Sequence, residues 1–306
     1  MHVTPPAQRI LVTGASGLVG SALIPVLRSL GHEVISLART ETPFAATNAS
    51  WNPTRGEVNL QPAGAINAVI HLAGETIAQR WNAASRERIW TSRVDGTRQI
   101  ASALAALPAP PKVFISASAT GYYGNRGNEW LDESSAPGTG FLAETCQAWE
   151  AAAEPARAAG IRVIHLRLGI VLSPHGGALA RMLPVFRLGV AGRLGDGRAY
   201  WSWITIDDLI RVFLHALDSA ALHGPVAAVS PNPVTNAEFT AALAGVLHRP
   251  ALLPVPAFAL QMLFGGMARE AMLAGTRVRP RRLLETGFQF RHPEIREALA
   301  HLLQCR

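Results

Sequence analysis

Lysine, cysteine and tyrosine are scarce in this chain, and unbroken apolar runs are missing. Only two cysteines occur among the 306 residues, Cys146 and Cys305, far apart and in no metal-ligand pattern. Neither a disulfide framework nor a metal centre is expected from them. A single lysine, Lys112, stands against a net charge of +7, so nearly all the basic charge is arginine, and it is scattered. The richest cluster, Arg277-Val-Arg279-Pro-Arg281-Arg282, has no interleaved aromatic residue. A solvated basic face accounts for it better than a nucleic-acid footprint does. The most apolar stretch, 251–268, is interrupted by Pro254, Pro256, Gln261 and the pair Gly265–Gly266. That is too broken for a membrane span, and fits a buried helix or a subunit contact such as a homodimer's. No internal repeat is present. The first apolar run reads as a strand rather than a signal-peptide core, so a cytoplasmic location is expected.

The organising stretch is residues 9–39. Ile10 to Val12 is a short, β-branched-rich apolar run that reads as a buried strand. The turn Gly14-Ala-Ser16-Gly17-Leu18-Val-Gly20 follows it. Leu18, Ala22, Val26 and Leu30, joined by Val19, Leu23 and Leu27, then recur at helical spacing, and Gly31 supplies the stop. Val34 to Leu37 is a second buried strand. In such a strand–turn–helix unit, Gly14 permits the tight turn, Gly17 lets the backbone approach a pyrophosphate, and Gly20 lets the helix lie close to the strand. The helix N-terminus favours the anion. The second strand ends in Arg39 and Thr40 with no acid before Glu41. An arginine fork suits a ribose 2′-phosphate, so the expected cofactor is NADP rather than NAD.

Further along, Trp51 to Val58 reads as a short strand and turn. Ala68 to Leu72 is a buried strand whose end, Leu72-Ala73-Gly74, again allows close cofactor approach. Asn82 to Leu107 reads as one long helix, and Lys112 to Ser116 as a strand leading to Ser118, Tyr122 and Tyr123. Phe141 to Gly160 reads as helical and Arg162 to Leu168 as a strand. Strands alternating with helices at these lengths indicate an α/β fold, a Rossmann doubly wound parallel sheet. After Leu168 the pattern changes. A helix is expected from Gly176-Gly177 to Leu188, a hairpin or extended loop over Gly189 to Ile204, a helix from Asp207-Asp208 to Leu217, a strand at Val226 to Val229, and a helix at 236–247. The expected organisation is a dinucleotide-binding domain over 1–170, with return segments near 200–230. A smaller substrate-side domain over 171–306 is interleaved with it.

Gly14-x-x-Gly17-x-x-Gly20, Leu72-Ala73-Gly74, Ser118-Ala-Thr and Trp203-Ile-x-Ile-Asp207-Asp208-Leu209 resemble the extended short-chain dehydrogenase/reductases, which include nucleotide-sugar epimerases. Ser92-Arg93-Val-Asp-Gly96-Thr97, Gly121-Tyr-Tyr-Gly124, Phe141-Leu-Ala-Glu-Thr-Cys146, Gly176-Gly-Ala-Leu and Leu283-Leu-Glu-x-Gly287-Phe288 resemble one atypical branch of them, the "epimerase family" proteins. The resemblance covers almost the whole chain. It implies an NADP-linked oxidoreductase or epimerase chemistry, with Ser118 at the position that holds the substrate oxygen.

The departures narrow this expectation. The superfamily works through a Tyr-x-x-x-Lys pair, and none exists here; Leu142 and Cys146 have that spacing. An aliphatic side chain is no general acid. The proton donor is therefore expected at Tyr122 or Tyr123, with Glu144 and Cys146 in reserve. The arginine that heads the diphosphate-binding segment in sugar-nucleotide epimerases is Trp201 here, so Arg193 or Arg198 would have to replace it. Trp201 and Trp203 offer either a flat wall for an aromatic or hydrophobic substrate or core anchors. Two readings of function follow: an NADP-dependent enzyme acting on an unidentified small carbonyl or hydroxyl compound, and a catalytically silent NADP(H)-holding sensor or partner-binding module.

Overall fold

The computed structural model describes residues 7–39 and 49–304. The first strand, β1 (Arg9–Thr13), passes through the glycine turn into α1 (Leu18–Ser29), which buries Leu23, Ile24 and Leu27. Next come β2 (Glu33–Arg39), the hairpin β3 (Ser50–Asn52) and β4 (Glu57–Asn59), then β5 (Ala68–His71) and α2 (Ala83–Ala105). Asn82 starts α2 with a reciprocal cap: its side chain accepts from Ser85 N–H while Ser85 Oγ accepts from Asn82 N–H. The chain continues with β6 (Val113–Ala119), β7 (Trp130–Leu131), α3 (Phe141–Ala151), α4 (Glu154–Ala158) and β8 (Arg162–Leu168). Beyond these are β9 (Ile170–Ser173), α5 (Gly177–Arg187), β10 (Tyr200–Trp201), β11 (Trp203–Thr205), α6 (Ile206–Asp218) and β12 (Gly224–Ala228). The last part holds β13 (Val234–Thr235), α7 (Asn236–Leu247), α8 (Ala257–Phe264), β14 (Arg277–Val278), α9 (Arg281–Glu285) and α10 (Ile295–Gln304).

The main sheet has the order β12-β8-β6-β5-β1-β2-β3-β4, parallel throughout except for the β3–β4 pair. The chain winds outward from β1 to β2, then returns to the other side of β1 as β5 and winds outward again. The reversal between β1 and β5 opens a crevice at the carboxyl ends of the strands, the place where such sheets bind ligands. Both faces are covered, which is why the central strands are mostly apolar, their polar residues such as Thr13, His71, Ser116 and Ser118 falling toward the carboxyl ends. Ile10, Val12, Ile70, Ile115 and Ile164 pack with Leu23, Leu27, Leu209 and Phe213 on one side. Leu11, Val69, Phe114 and Val163 pack with Trp51, Ile100, Leu104 and Ala156 on the other.

Two expectations about elements are corrected. The helix expected over Phe141 to Gly160 is two, because Pro155 in the first turn of α4 has no N–H to continue the ladder of α3. Of the hairpin and the extended loop expected over Gly189 to Ile204, the hairpin does not form: β10 pairs antiparallel with β13, and β11 pairs parallel with β9. The strand expected at Val226 is β12, which joins the edge of the main sheet beside β8. Among the described residues no helix is long and apolar enough to cross a membrane.

Candidate active site

The three glycines of the first turn have three different reasons to be glycine. Gly14 has φ +68°, and a Cβ there would lie 2.7 Å from the backbone of Leu72. Gly20 is pressed against the Gly14 carbonyl, so a Cβ would collide with that turn. Gly17 is different: its φ is −75°, it is exposed, and a Cβ would meet only the Gly14 carbonyl oxygen at 3.3 Å. A side chain at Gly17 would need that carbonyl to give by only a few tenths of an ångström, so the protein's own packing constrains this position far less than Gly14 or Gly20. Exposed Ser16 lies beside it on the turn's outer surface. Helix α1 starts there with no side-chain cap and no acid in its first turn, so its leading N–H groups are free to meet an anion. Leu18 faces the opposite wall, where its Cδ1 lies 3.0 Å from the position of a Cβ on Gly176.

The neighbouring strand end is locked to this turn. Thr13 Oγ1 accepts the N–H groups of Leu72 (3.1 Å) and Ala73 (3.2 Å) and contacts His71 Nδ1 at 2.7 Å. With both acceptor directions filled, the threonine hydroxyl donates to His71. Its ring therefore carries a proton on Nε2. Gly74 is exposed, and a Cβ there would touch the Arg93 guanidinium at 3.4 Å. Arg93 reaches up from α2, donates to the Glu75 carbonyl at 2.9 Å and lies over the Trp149 ring.

At the carboxyl end of β6 the side chains sort by burial. Ser118 is buried and donates its one proton to Glu150 Oε1 at 2.7 Å. Glu150 also receives Arg167 in two parallel bonds, Nε to Oε1 at 2.8 Å and Nη2 to Oε2 at 2.9 Å. Arg167 Nη1 donates to the Tyr123 hydroxyl at 3.0 Å, and its guanidinium lies 3.4 Å from the ring centroid of Tyr122. Burial alone would lower the Arg167 pKa, but the bonded Glu150 carboxylate outweighs it and the guanidinium is held more firmly charged. Tyr123 has no exposed surface, and burial pushes its phenol up to about 12. Tyr122 is half-buried and stands edge-on to Tyr123.

The structure thus separates the expected residues. Gly14, Ser16, Gly17, Leu18, Gly20, Leu72, Ala73 and Gly74 converge at the β1–β5 crevice. Arg39 ends β2 and pairs with Trp51 of β3; its side chain, and Thr40 altogether, lie outside the described residues. Ser118, expected to hold the substrate oxygen, is buried in this structure with its hydroxyl donating to Glu150. Tyr123 is tied to Arg167 in the core. Cys146 is buried and its thiol is pushed up to about 12 by that burial, while Glu144 is exposed on α3. Trp201 and Trp203 form no open wall, because their rings belong to the core. Trp203 is fully buried with its Nε1 donating to the Asn232 carbonyl, and Trp201 packs on Phe239. Arg193 is exposed on the loop before β10, with its carbonyl accepting from Val255 N–H.

Sequence reading missed Arg167, Glu150 and Glu270. The last of these accepts the Leu142 N–H at 3.0 Å and so caps α3, which opens at Gly140 without a side-chain cap. The leucine and cysteine at the Tyr-x-x-x-Lys spacing are packed under Gly121, where a Cβ would lie 3.3 Å from Leu142 Cβ and 3.8 Å from Cys146 Sγ.

Comparison with known proteins bears on the family and the fold. The profile of the NAD dependent epimerase/dehydratase family matches residues 10–228, and that of a domain of unknown function matches residues 255–302. An epimerase family protein of Mycobacterium leprae is 42% identical, over 95% of this chain and 94% of that protein. The crystal structure of human epimerase family protein SDR39U1 (isoform 2) with NADPH superposes with a TM-score of 0.85. Its identity is 33%, covering 97% of this chain and 99% of that one. A nucleoside-diphosphate sugar epimerase from Corynebacterium glutamicum gives 0.79 at 35% identity, covering 97% of this chain and 58% of that one.

Proposed function

The chain belongs to the NAD dependent epimerase/dehydratase family, and from that premise we propose that it binds NADP(H) and acts on a small carbonyl or hydroxyl compound without a Tyr-x-x-x-Lys pair. The observation that carries the reading is Gly17, an exposed glycine at an uncapped helix N-terminus that the protein's own packing constrains far less than Gly14 or Gly20. A human relative of known structure holds NADPH on the same fold, which supports the choice of cofactor. Gly14, Ser16, Gly17, Leu18 and Gly20 would hold the pyrophosphate, Arg39 and Thr40 the ribose phosphate, and Leu72, Ala73 and Gly74 the approach to the reactive end. Residues 1–170 with return segments near 200–230 form the cofactor half in this reading, and the interleaved remainder of 171–306 the substrate side. When bound, the nicotinamide supplies or accepts a hydride.

The chain's own residues manage the proton. Tyr122 is the donor or acceptor, through its phenolic oxygen. Arg167 holds the Tyr122 ring from one face, and Glu150 holds Arg167 by two bonds that fix the plane of its guanidinium. Ser118 and Tyr123 are positioning residues: one steadies the carboxylate, the other the guanidinium. The test is turnover of NADPH with a carbonyl panel, followed at the nicotinamide absorbance beside a binding titration. Tyr122→Phe should lower turnover by about 10²–10⁴-fold with NADPH affinity unchanged, whereas Tyr123→Phe should act on stability. Equal turnover in Tyr122→Phe removes the assigned donor.

One observation favours the second reading, an NADP(H)-holding module without turnover. Leu142 and Cys146 fill the usual acid–base positions with apolar packing under Gly121. Tight NADPH binding with no turnover on any carbonyl would select it.

A further inference from the structure

Three groups that take no part in the candidate site meet where α6 begins. Asp207 is on the first turn of α6, His292 precedes α10, and His301 lies on α10. One ligand atom of each falls within 4.8 Å of those of the other two. His301 Nε2 is 2.9 Å from Asp207 Oδ2, and the imidazoles of His292 and His301 are stacked 4.0 Å apart at an interplanar angle of 17°. All three residues are half-buried. The backbone around them is already fixed. Asp208, buried, accepts the N–H groups of Arg291 and His292 at 2.9 Å each, so the residue beside Asp207 holds the loop that carries His292. On the other side, Ala298, Leu299 and Leu302 anchor α10 in the core.

We propose that Asp207, His292 and His301 form a site for a divalent metal of the zinc class. Two imidazole nitrogens and one carboxylate oxygen suit zinc and its transition-metal neighbours better than calcium or magnesium, which prefer an all-oxygen shell. Zinc takes such atoms at about 2.0–2.2 Å, which places neighbouring ligand atoms of a tetrahedron about 3.3–3.5 Å apart. The His301–Asp207 contact of 2.9 Å opens to that distance by small side-chain rotations. A ring rotation of His292 brings its nitrogen to the third position, and water completes the fourth. The metal replaces the proton that His301 and Asp207 share. It ties the final helix to α6, whose Leu209, Val212 and Phe213 pack into the main core. Cysteine spacing gave no reason to expect a metal; this donor set exists only because the fold brings residues 207, 292 and 301 together.

The experiment uses the full chain, stripped with a chelator. Zinc is titrated against a chromophoric competitor, and cobalt(II) is followed in the visible region. One equivalent should bind, cobalt should show the intense bands of a four-coordinate site, and His292→Ala and Asp207→Asn should each weaken binding roughly tenfold or more. His292→Ala leaves the Asp207–His301 contact in place, and its fold is checked by circular dichroism. Absence of saturable binding, cobalt bands of a hexa-aqua type, or one-equivalent binding that His292→Ala leaves unchanged would overturn the proposal.

Discussion

His71 shows how much one side chain at the crevice can set. Its Nδ1 accepts from Thr13, and its ring lies in the core 6.0 Å from the rings of Trp51 and Phe114. Burial pulls its pKa down to about 4. An unfolded histidine titrates near about 6.5, so between these values the unfolded chain holds a proton that the folded chain lacks. The contribution to stability is therefore complete above the unfolded value and is lost as pH falls toward the folded one. The loss is on the order of 3 kcal/mol by linkage. Urea unfolding in this window should show a steeper fall in the unaltered protein than in His71→Asn, which keeps an acceptor for Thr13 and does not titrate; equal slopes would contradict the neutral histidine. Arg39 belongs to the same scale. If it receives the ribose phosphate, Arg39→Ala should weaken NADPH binding by about one to two decades, the weight of a charge-assisted contact of roughly 1.5–3 kcal/mol. NADH binding should be little affected, and equal NADPH and NADH affinities in the unaltered protein would count against the assignment.

Among the elements, α3 depends on a distant carboxylate. Gly140, the residue at its N-cap, has no side chain to cap with, and Glu270 supplies the acceptor for Leu142 N–H. Glu270→Ala should therefore destabilise the protein by about 0.5–2 kcal/mol, the range of a lost helix cap. Glu270→Gln, which retains an acceptor, should recover part of that in a denaturation series; identical midpoints for all three proteins would show that the contact carries nothing. Helix α3 also illustrates what the sequence discloses. The strand–turn–helix unit at 9–39 was legible because its signals, apolar periodicity and glycine spacing, are local. The break at Pro155 is legible in the sequence only against the apolar pattern that runs on through it. Arg167 was not legible. It sits in a strand that reads as apolar, and the groups that explain it, Glu150 and Tyr123, are 17 and 44 positions away. Trp201 and Trp203 carried two readings because hydrophobicity does not tell which side of a short strand meets the core.

For the molecule as a whole, the sheet order puts the winding reversal between β1 and β5, and the glycine turn opens onto it. The exposed Gly17 lies in that turn, where the proposed cofactor's pyrophosphate would sit. Gly14 and Gly20 cannot test that placement, because a side chain at either would strike the protein's own backbone. Gly17 can, since a Cβ there meets only one carbonyl oxygen at 3.3 Å in an ordinary backbone conformation. The most direct measurement is a calorimetric titration of NADPH into the unaltered protein and into Gly17→Val, with folding of both confirmed by thermal unfolding. Saturable binding to the unaltered protein and none to a folded Gly17→Val is the predicted result. Undiminished NADPH binding by Gly17→Val, or no binding by the unaltered protein, would contradict the account.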